Sequence, residues 1–244
     1  MEMDVQYKVI QMNEDTWRIE EPGVRFFVLK GTERALLIDS GMMVHNAKEI
    51  AGALTSLSLE LLNTHADMDH VGSNHEFAAP YMNPAELSNY HNTQGKQGDI
   101  KPVWDGDKIE LGERTLKIIA LPGHTPGGIA VLDEKYHALF SGDPIQNGDI
   151  FMFGVQRDLR AYRHSLLRLK DMKDYFSEIY PSHGAIPVSK SMIDDLIKAS
   201  EEIMEGSILP EDGEFHGIPL KVYEAGGARF LCDVGEPGID KSKF

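Results

Sequence analysis

Short runs of hydrophobic residues, broken by turn signals, dominate the first third of the chain. VQYKVI at 5–10, TWRIE at 16–20, VRFFVLK at 24–30 and RALLIDS at 34–40 are rich in β-branched and aromatic residues. Turn signals such as Pro22-Gly23 and Gly31-Thr32 separate them, which predicts four strands. The period then lengthens. HNAKEIAGALTSL at 45–57 has apolar residues near helical spacing with Asn46 as cap, and LSLELLN at 57–63 reads as a strand running into THADMDH. A helix at 71–78, a short strand in AAPYM and a helix at 84–92 opening on Pro84 follow. The polar, Gly-rich stretch 93–107 reads as a loop. Strands return in KIEL, RTLKIIAL, GIAVLD and HALFSGD. The stripe of residues 159, 162, 166, 167 and 169 predicts a helix over 159–172, and SKSMIDDLIKASEEIME another over 189–205. FSEIYPSHG reads as a strand ending in a loop, and Ala225-Gly226-Gly227 marks a closing hairpin. Strands followed by helices in each half predict a layered α/β sandwich, taken as a single domain over 1–244.

Composition narrows the class. The 244 residues are 41% hydrophobic and 26% charged, the mix of a globular chain with a real core. The net charge of −15 disfavours phosphate backbones and anionic membranes, and no run of Lys and Arg offsets it, so neither nucleic acid nor membrane is expected as a partner. The opening fifteen residues, MEMDVQYKVIQMNED, are too polar for the core of a signal peptide, and no stretch approaches the roughly 20 apolar residues of a membrane span. With one cysteine, Cys232, no internal disulfide can form, and a cytoplasmic location is expected. Cys232 lies in the apolar run ARFLCDV and is expected to be buried in a strand.

The chemistry concentrates in THADMDHVGSN, where His65, Asp67, Asp69 and His70 fall within six residues after a strand. Alternate residues leaving a strand point the same way, so His65 and Asp67 can face one point, with Asp69 and His70 on the following turn. Imidazole and carboxylate suit zinc, iron and manganese. The plainer reading is a polar loop with Asp69 capping a helix. Three further segments place a metal-capable side chain in a tight turn at a strand end: LPGHTPGG (His124), LFSGDPI (Asp143) and YPSHGAI (His183). One such residue means little; three repeat the pattern.

Together these motifs resemble the metallo-β-lactamase superfamily, whose pattern is H-x-H-x-D-H followed by His, Asp and His at strand ends. The spacings, 54 residues from His70 to His124, 19 to Asp143 and 40 to His183, are similar to those of its hydroxyacylglutathione hydrolase and lactonase branches. Asp39 in LLIDSG matches a structural aspartate of the family. The resemblance implies a four-layer αββα sandwich and two divalent metal ions. It places His65, Asp67 and His124 on one ion, Asp69, His70 and His183 on the other, and Asp143 on both, with a catalytic role for Asp69 as well. It implies a hydrolase that uses a metal-bound hydroxide on a small ester, thioester or lactone. No G-x-S-x-G elbow offers a competing nucleophile.

One position departs from the pattern: residue 67 is aspartate where most of the superfamily has histidine. Two divalent ions and three aspartates leave a charge of +4 − 3 = +1, against +2 with histidine. Oxygen ligands favour manganese or ferrous iron over zinc, so all three metals stay open. A carboxylate at this position also resembles the flavodiiron oxygen reductases. Asp67 is thus either a working ligand, a weak one, or an accepted variant.

Of the remaining side chains, Tyr90 and His91 close a helix that can lead to the pocket. Phe151, Met152 and Phe153 sit in QNGDIFMFG, where they either overhang the site as an apolar wall or pack in the core. His45, His75, His137, His164 and His216 read as surface or cap residues, as His91 does when it does not touch substrate. Glutathione thioesters are a poor expectation, because the 61 residues after His183 hold no basic cluster, with Lys198, Lys221 and Arg229 as scattered candidates. The rivals to a hydrolase are a di-iron redox protein and a non-catalytic metal- or ligand-binding module; a nuclease comes last on charge. The partner expected is a small-molecule substrate, with the oligomeric state open and a homodimer among the options.

Overall fold

The computed structural model describes residues 6–94 and 99–235. Their contacts separate into two compact units. One runs up to Ile119 and includes Val131–Lys135; the other comprises Ala120–Ala130 and the chain from Tyr136.

The first unit is built on a seven-stranded sheet in simple sequential order. Strands β1 (Lys8–Asn13), β2 (Thr16–Glu21), β3 (Val24–Lys30) and β4 (Arg34–Ile38) pair antiparallel. Helix α1 (Ala47–Gly52) carries the chain across to β5 (Ser58–Leu62), and from β4 onward the pairing is parallel, through β6 (Tyr81–Met82). Helix α2 (Leu87–Gln94) then leads to β7 (Lys101–Pro102) at the edge. Strands β8 (Lys108–Glu110) and β9 (Thr115–Ala120) form an antiparallel pair. Ile19, Phe26, Val28, Leu37 and Leu61 of the sheet bury against Ala47, Ile50 and Ala51 of α1. Val131–Lys135 is tied to this unit by Glu134, whose N–H donates to the Thr115 carbonyl at 3.1 Å. The fully buried Arg114 helps hold it there. Its guanidinium pairs with buried Asp133 and donates to the carbonyls of Asp15 (2.7 Å) and Lys30 (3.0 Å) and to Thr16 Oγ1 (2.8 Å).

The second unit follows β10 (Ile129–Asp133), all of whose residues are buried, with β11 (Ala138–Gly142), β12 (Asp149–Met152), α3 (Leu159–Lys170), β13 (Glu178–Pro181) and α4 (Ser191–Met204). It ends in β14 (Glu211–Phe215), β15 (Ile218–Ala225) and β16 (Ala228–Cys232). β11 and β13 pair parallel, and a four-stranded sheet has the order β12-β16-β15-β14. α3 begins where Asp158 accepts from the N–H groups of Arg160 (2.8 Å) and Ala161 (3.0 Å). It buries Leu159, Tyr162, Leu166 and Leu169, the expected stripe without Leu167, and α4 packs against it. Cys232 is buried in β16 as expected, and burial pushes its thiol up to about 12.

Several expectations need correction. The stretch read as a helix at 71–78 holds only a single 3₁₀ turn, Asn74–Glu76, and follows another at Met68–His70. The Gly72 N–H donates to the Gly41 carbonyl at 2.7 Å, and Ser73 and Asn74 spend their polar groups on other segments, so this stretch bonds across the fold rather than along a helix. The helix read at 45–57 stops at Gly52, and Asn46, although at its N-cap, bonds to Glu49 (3.2 Å) rather than to a helical N–H. The loop at 93–107 contains the edge strand β7; its residues 95–98 lie outside the described residues, as does Val5 of the first strand read from sequence. Strands β12 and β14 went unread, because DIFM is short and EDGEF carries three acidic residues. No helix among the described residues is long and apolar enough to cross a membrane.

Candidate metal centre

In the first unit the chemistry sits at the carboxyl ends of the parallel strands β4 and β5, the end at which open α/β sheets place ligands. Asp39 follows β4 directly, its N–H donating to the Leu62 carbonyl at 2.8 Å, and it adopts φ +61°. Its buried carboxylate accepts from the Thr64 N–H (2.7 Å), from the Thr64 hydroxyl (2.8 Å) and from His70 Nδ1 (2.8 Å). A carboxylate only accepts, so His70 carries its proton on Nδ1 and presents the lone pair of Nε2. The Thr64 hydroxyl, whose proton goes to Asp39, accepts in turn from His65 Nδ1 at 3.1 Å. His65 therefore also presents Nε2.

These choices leave both imidazoles on one side. The rings of His65 and His70 have centroids 3.9 Å apart, and His65 Nε2 lies 3.5 Å from Asp67 Oδ2 and His70 Nε2 3.7 Å from Asp69 Oδ2. Beneath them, Asn63 Nδ2 donates to the His70 carbonyl (2.9 Å), Asn74 Nδ2 to Asn63 Oδ1 (2.8 Å) and the Ser40 hydroxyl to Asn74 Oδ1 (2.7 Å), a buried network that fixes the loop. Glu86, also buried, accepts from the Ala66 N–H at 2.8 Å.

The second unit holds the other three. Asp143 follows β11 and His183 follows β13, and the parallel pairing of these strands brings their ends together, the Ser182 N–H donating to the Gly142 carbonyl at 3.1 Å. His124 stands in the turn closed by the Leu121 N–H and the Gly128 carbonyl (2.7 Å). Gly123 makes that turn possible: at φ +134° its α-carbon faces the Tyr162 backbone, and a side chain would lie 2.2 Å from the Tyr162 nitrogen. His124 Nδ1 donates to the Phe151 carbonyl at 2.9 Å, which again leaves Nε2 as the lone-pair nitrogen. Asp143 is buried, and its two oxygens address different histidines: Oδ2 lies 3.5 Å from His124 Nε2 and Oδ1 3.2 Å from His183 Nε2.

These separations fit the donor set to a metal. Ligand atoms bound at ~2.0–2.1 Å around a tetrahedral ion stand roughly 3.3–3.5 Å apart. The carboxylate–imidazole distances fall at or near that edge, and three histidines are held with Nε2 outward. The donors are nitrogen and oxygen, the chemistry of divalent first-row ions.

All seven residues proposed as ligands from sequence therefore fall into two close groups, His65, Asp67, Asp69 and His70 in one unit and His124, Asp143 and His183 in the other. The other residues singled out distribute differently. Tyr90 is buried with Ala66, Val71 and Met82, whereas His91 is exposed, as are His45, His75, His137, His164 and His216. Met152 is fully buried in β12, and Phe151 and Phe153 are half-buried beside Phe215, with ring centroids 5.0–5.6 Å apart. Sequence reading missed Asn63, Thr64, Ser40, Asn74, Glu86 and Asn89. The only signal was that Asn63, Thr64 and Asn74 abut the His/Asp motif; Ser40, Glu86 and Asn89 come near it only through folding.

His and Asp donors clustered at strand ends are candidate metal ligands of an α/β protein. The chain belongs to the metallo-beta-lactamase superfamily, whose model matches residues 21–183, more than half of the chain and every residue from Asp39 to His183 named above. It is 25% identical over 207 residues to an acyl-coenzyme A thioesterase MBLAC2 of Gallus gallus, covering 68% of this chain and 75% of that protein. It is 32% identical over 129 residues to a hydroxyacylglutathione hydrolase of Gloeobacter violaceus, covering 52% and 51%. A solved metallo-beta-lactamase from Pontibacter korlensis superposes with TM-score 0.66 at 16% identity, over 80% of this chain and 99% of that one, and shares the fold. The chain spans 61% and 52% of the length of two further relatives that it matches.

Proposed function

We propose that the chain is a metal-dependent hydrolase of small esters, thioesters or lactones. Its two groups of ligands would hold two divalent ions: His65, Asp67 and His124 one, Asp69, His70 and His183 the other, and Asp143 both. The carrying observation is Asp143, whose two oxygens each face a different imidazole nitrogen. A carboxylate so placed suits a bridge rather than a single ion. Bound divalent ions supply Lewis acidity and a water-derived nucleophile. The protein's part is to fix the imidazoles of His70, His65 and His124 through Asp39, Thr64 and the Phe151 carbonyl. Similarity to an acyl-coenzyme A thioesterase and to a hydroxyacylglutathione hydrolase supports the bond type. Asp67 supports manganese or iron beside zinc as the ion.

The test is metal analysis of protein reconstituted with zinc, manganese or ferrous iron, followed by a screen of acyl thioesters, aryl esters and lactones. Two ions per chain and metal-dependent turnover of one of these classes is the expected result. Trace metal after reconstitution, or no turnover in any class, overturns it.

A further inference from the structure

Asp67 is the position at which this chain leaves its family's pattern, and helix α2 is organised around it. Three residues at helical spacing, 86, 89 and 90, engage the 65–67 segment. Glu86 accepts from the Ala66 N–H at 2.8 Å. Tyr90 packs against Ala66 in a buried cluster with Val71 and Met82. Between them, Asn89 Nδ2 donates to Asp67 Oδ1 at 2.8 Å. Glu86 ends the 3₁₀ turn Pro84–Glu86 that runs directly into α2, and the spacing places the three on one face, because residues three and four apart are neighbours. Asn89 is itself oriented: the Thr93 hydroxyl, one turn on, donates to its Oδ1 at 3.4 Å, which directs the amide NH₂ at Asp67.

We propose that Asn89 is a positioning residue that makes Asp67 a one-oxygen metal ligand, an inference that rests on the binuclear reading above. A carboxylate free to rotate can bind an ion through one oxygen or both, and a long-stemmed imidazole would need no such restraint. Here the hydrogen bond occupies Oδ1 and withdraws charge from it, while Oδ2 faces His65 Nε2 at 3.5 Å. The carboxylate at 67 is thus matched by an amide donor on α2, with Glu86 and Tyr90 engaging the same loop on either side of it. An outer partner of this kind sets ligand orientation, and its loss costs about 10–100-fold in metal affinity.

Cobalt(II) titration of the full-length chain, followed by its visible spectrum and by competition with a chelator, tests this. The wild type binding two cobalt ions is the check on the binuclear reading; failure there overturns that reading and this inference with it. Given two ions, Asn89→Leu and Asn89→Ala should weaken one site about 10–100-fold and change its cobalt spectrum, leaving the other site and Tm as in wild type. Asn89→Gln, which keeps the amide donor, should recover part of the affinity. Two unchanged affinities and an unchanged spectrum in Asn89→Leu overturn the proposal while leaving the binuclear reading intact. Equal weakening of both sites with a lowered Tm also overturns it, since that is what a merely structural side chain would give.

Discussion

Asp39 Oδ2 accepts from His70 Nδ1 at 2.8 Å, with both side chains fully buried, and the same carboxylate holds the Thr64 N–H and hydroxyl. One side chain thus satisfies three donors and, through Thr64, sets the orientation of His65 as well. Asp39→Ala leaves those donors buried without their acceptor. It should lower stability by about 3 kcal/mol in chemical denaturation, at the usual ~1–3 kcal/mol for each buried group left unsatisfied, part of it relieved by local rearrangement. Metal affinity, read by chelator competition, should fall about 10–100-fold. Asp39→Asn keeps an acceptor and tolerates the positive φ, so its losses should be smaller on both measures.

Asp143→Ala tests the bridge. Elemental analysis should show loss of both ions, and turnover should fall to background, while His91→Ala, an exposed position on α2, should bind metal and turn over as wild type does. One ion retained in Asp143→Ala would contradict the bridging assignment.

For Asp67, replacement by histidine raises the charge of the site by one and exchanges oxygen for nitrogen. Zinc should gain on manganese in direct competition, by about ten-fold or more, because imidazole is the softer ligand. Asp67→Ala should deplete one ion preferentially. Two ions at unchanged affinity in that variant would make Asp67 a bystander.

Arg114 and Asp133 are the main ionic tie holding Val131–Lys135 to the first unit. Removing one partner of a buried pair strands the other, so Arg114→Ala should cost about 3–5 kcal/mol in urea denaturation. Metal stoichiometry of the folded protein should not change.

On β5 of the seven-stranded sheet, Glu60 meets Arg34 (2.7 Å), Lys101 and the Tyr81 hydroxyl (3.2 Å). Burial pushes the Glu60 carboxyl up, but the hydrogen bond and charge of Lys101, with help from Arg34 and Tyr81, pull it net below its ordinary 4.5. A depressed folded-state value means stability that is present above 4.5 and lost as pH falls through the folded-state value. Glu60→Gln should therefore be about 1 kcal/mol less stable at pH 7, a modest figure because Lys101 is partly solvated. The gap should narrow at a second, acidic pH well below 4.5. Urea titrations of the metal-free proteins at both pH values would measure it.

The hydrophobic pattern by itself determined most of the strands, the two long helices and the closing hairpin, because strand alternation and helical stripes are local consequences of which face is buried. Residue identity marked seven metal-capable side chains, four crowded into THADMDH and three beside turn-forming glycine or proline at strand ends. The pattern misread 71–78, where composition suits a helix but Gly72 lies against the Gly41 carbonyl, a contact 31 residues away in the chain. It could not find Asn89, because nothing in LSNYHNTQ marks an asparagine that acts 22 residues earlier. Nor could it say which nitrogen of His65, His70 and His124 faces the candidate site. Those choices depend on Asp39, Thr64 and the Phe151 carbonyl, and hydrogen-bond partners distant in sequence are decided only when the sheets and helices pack.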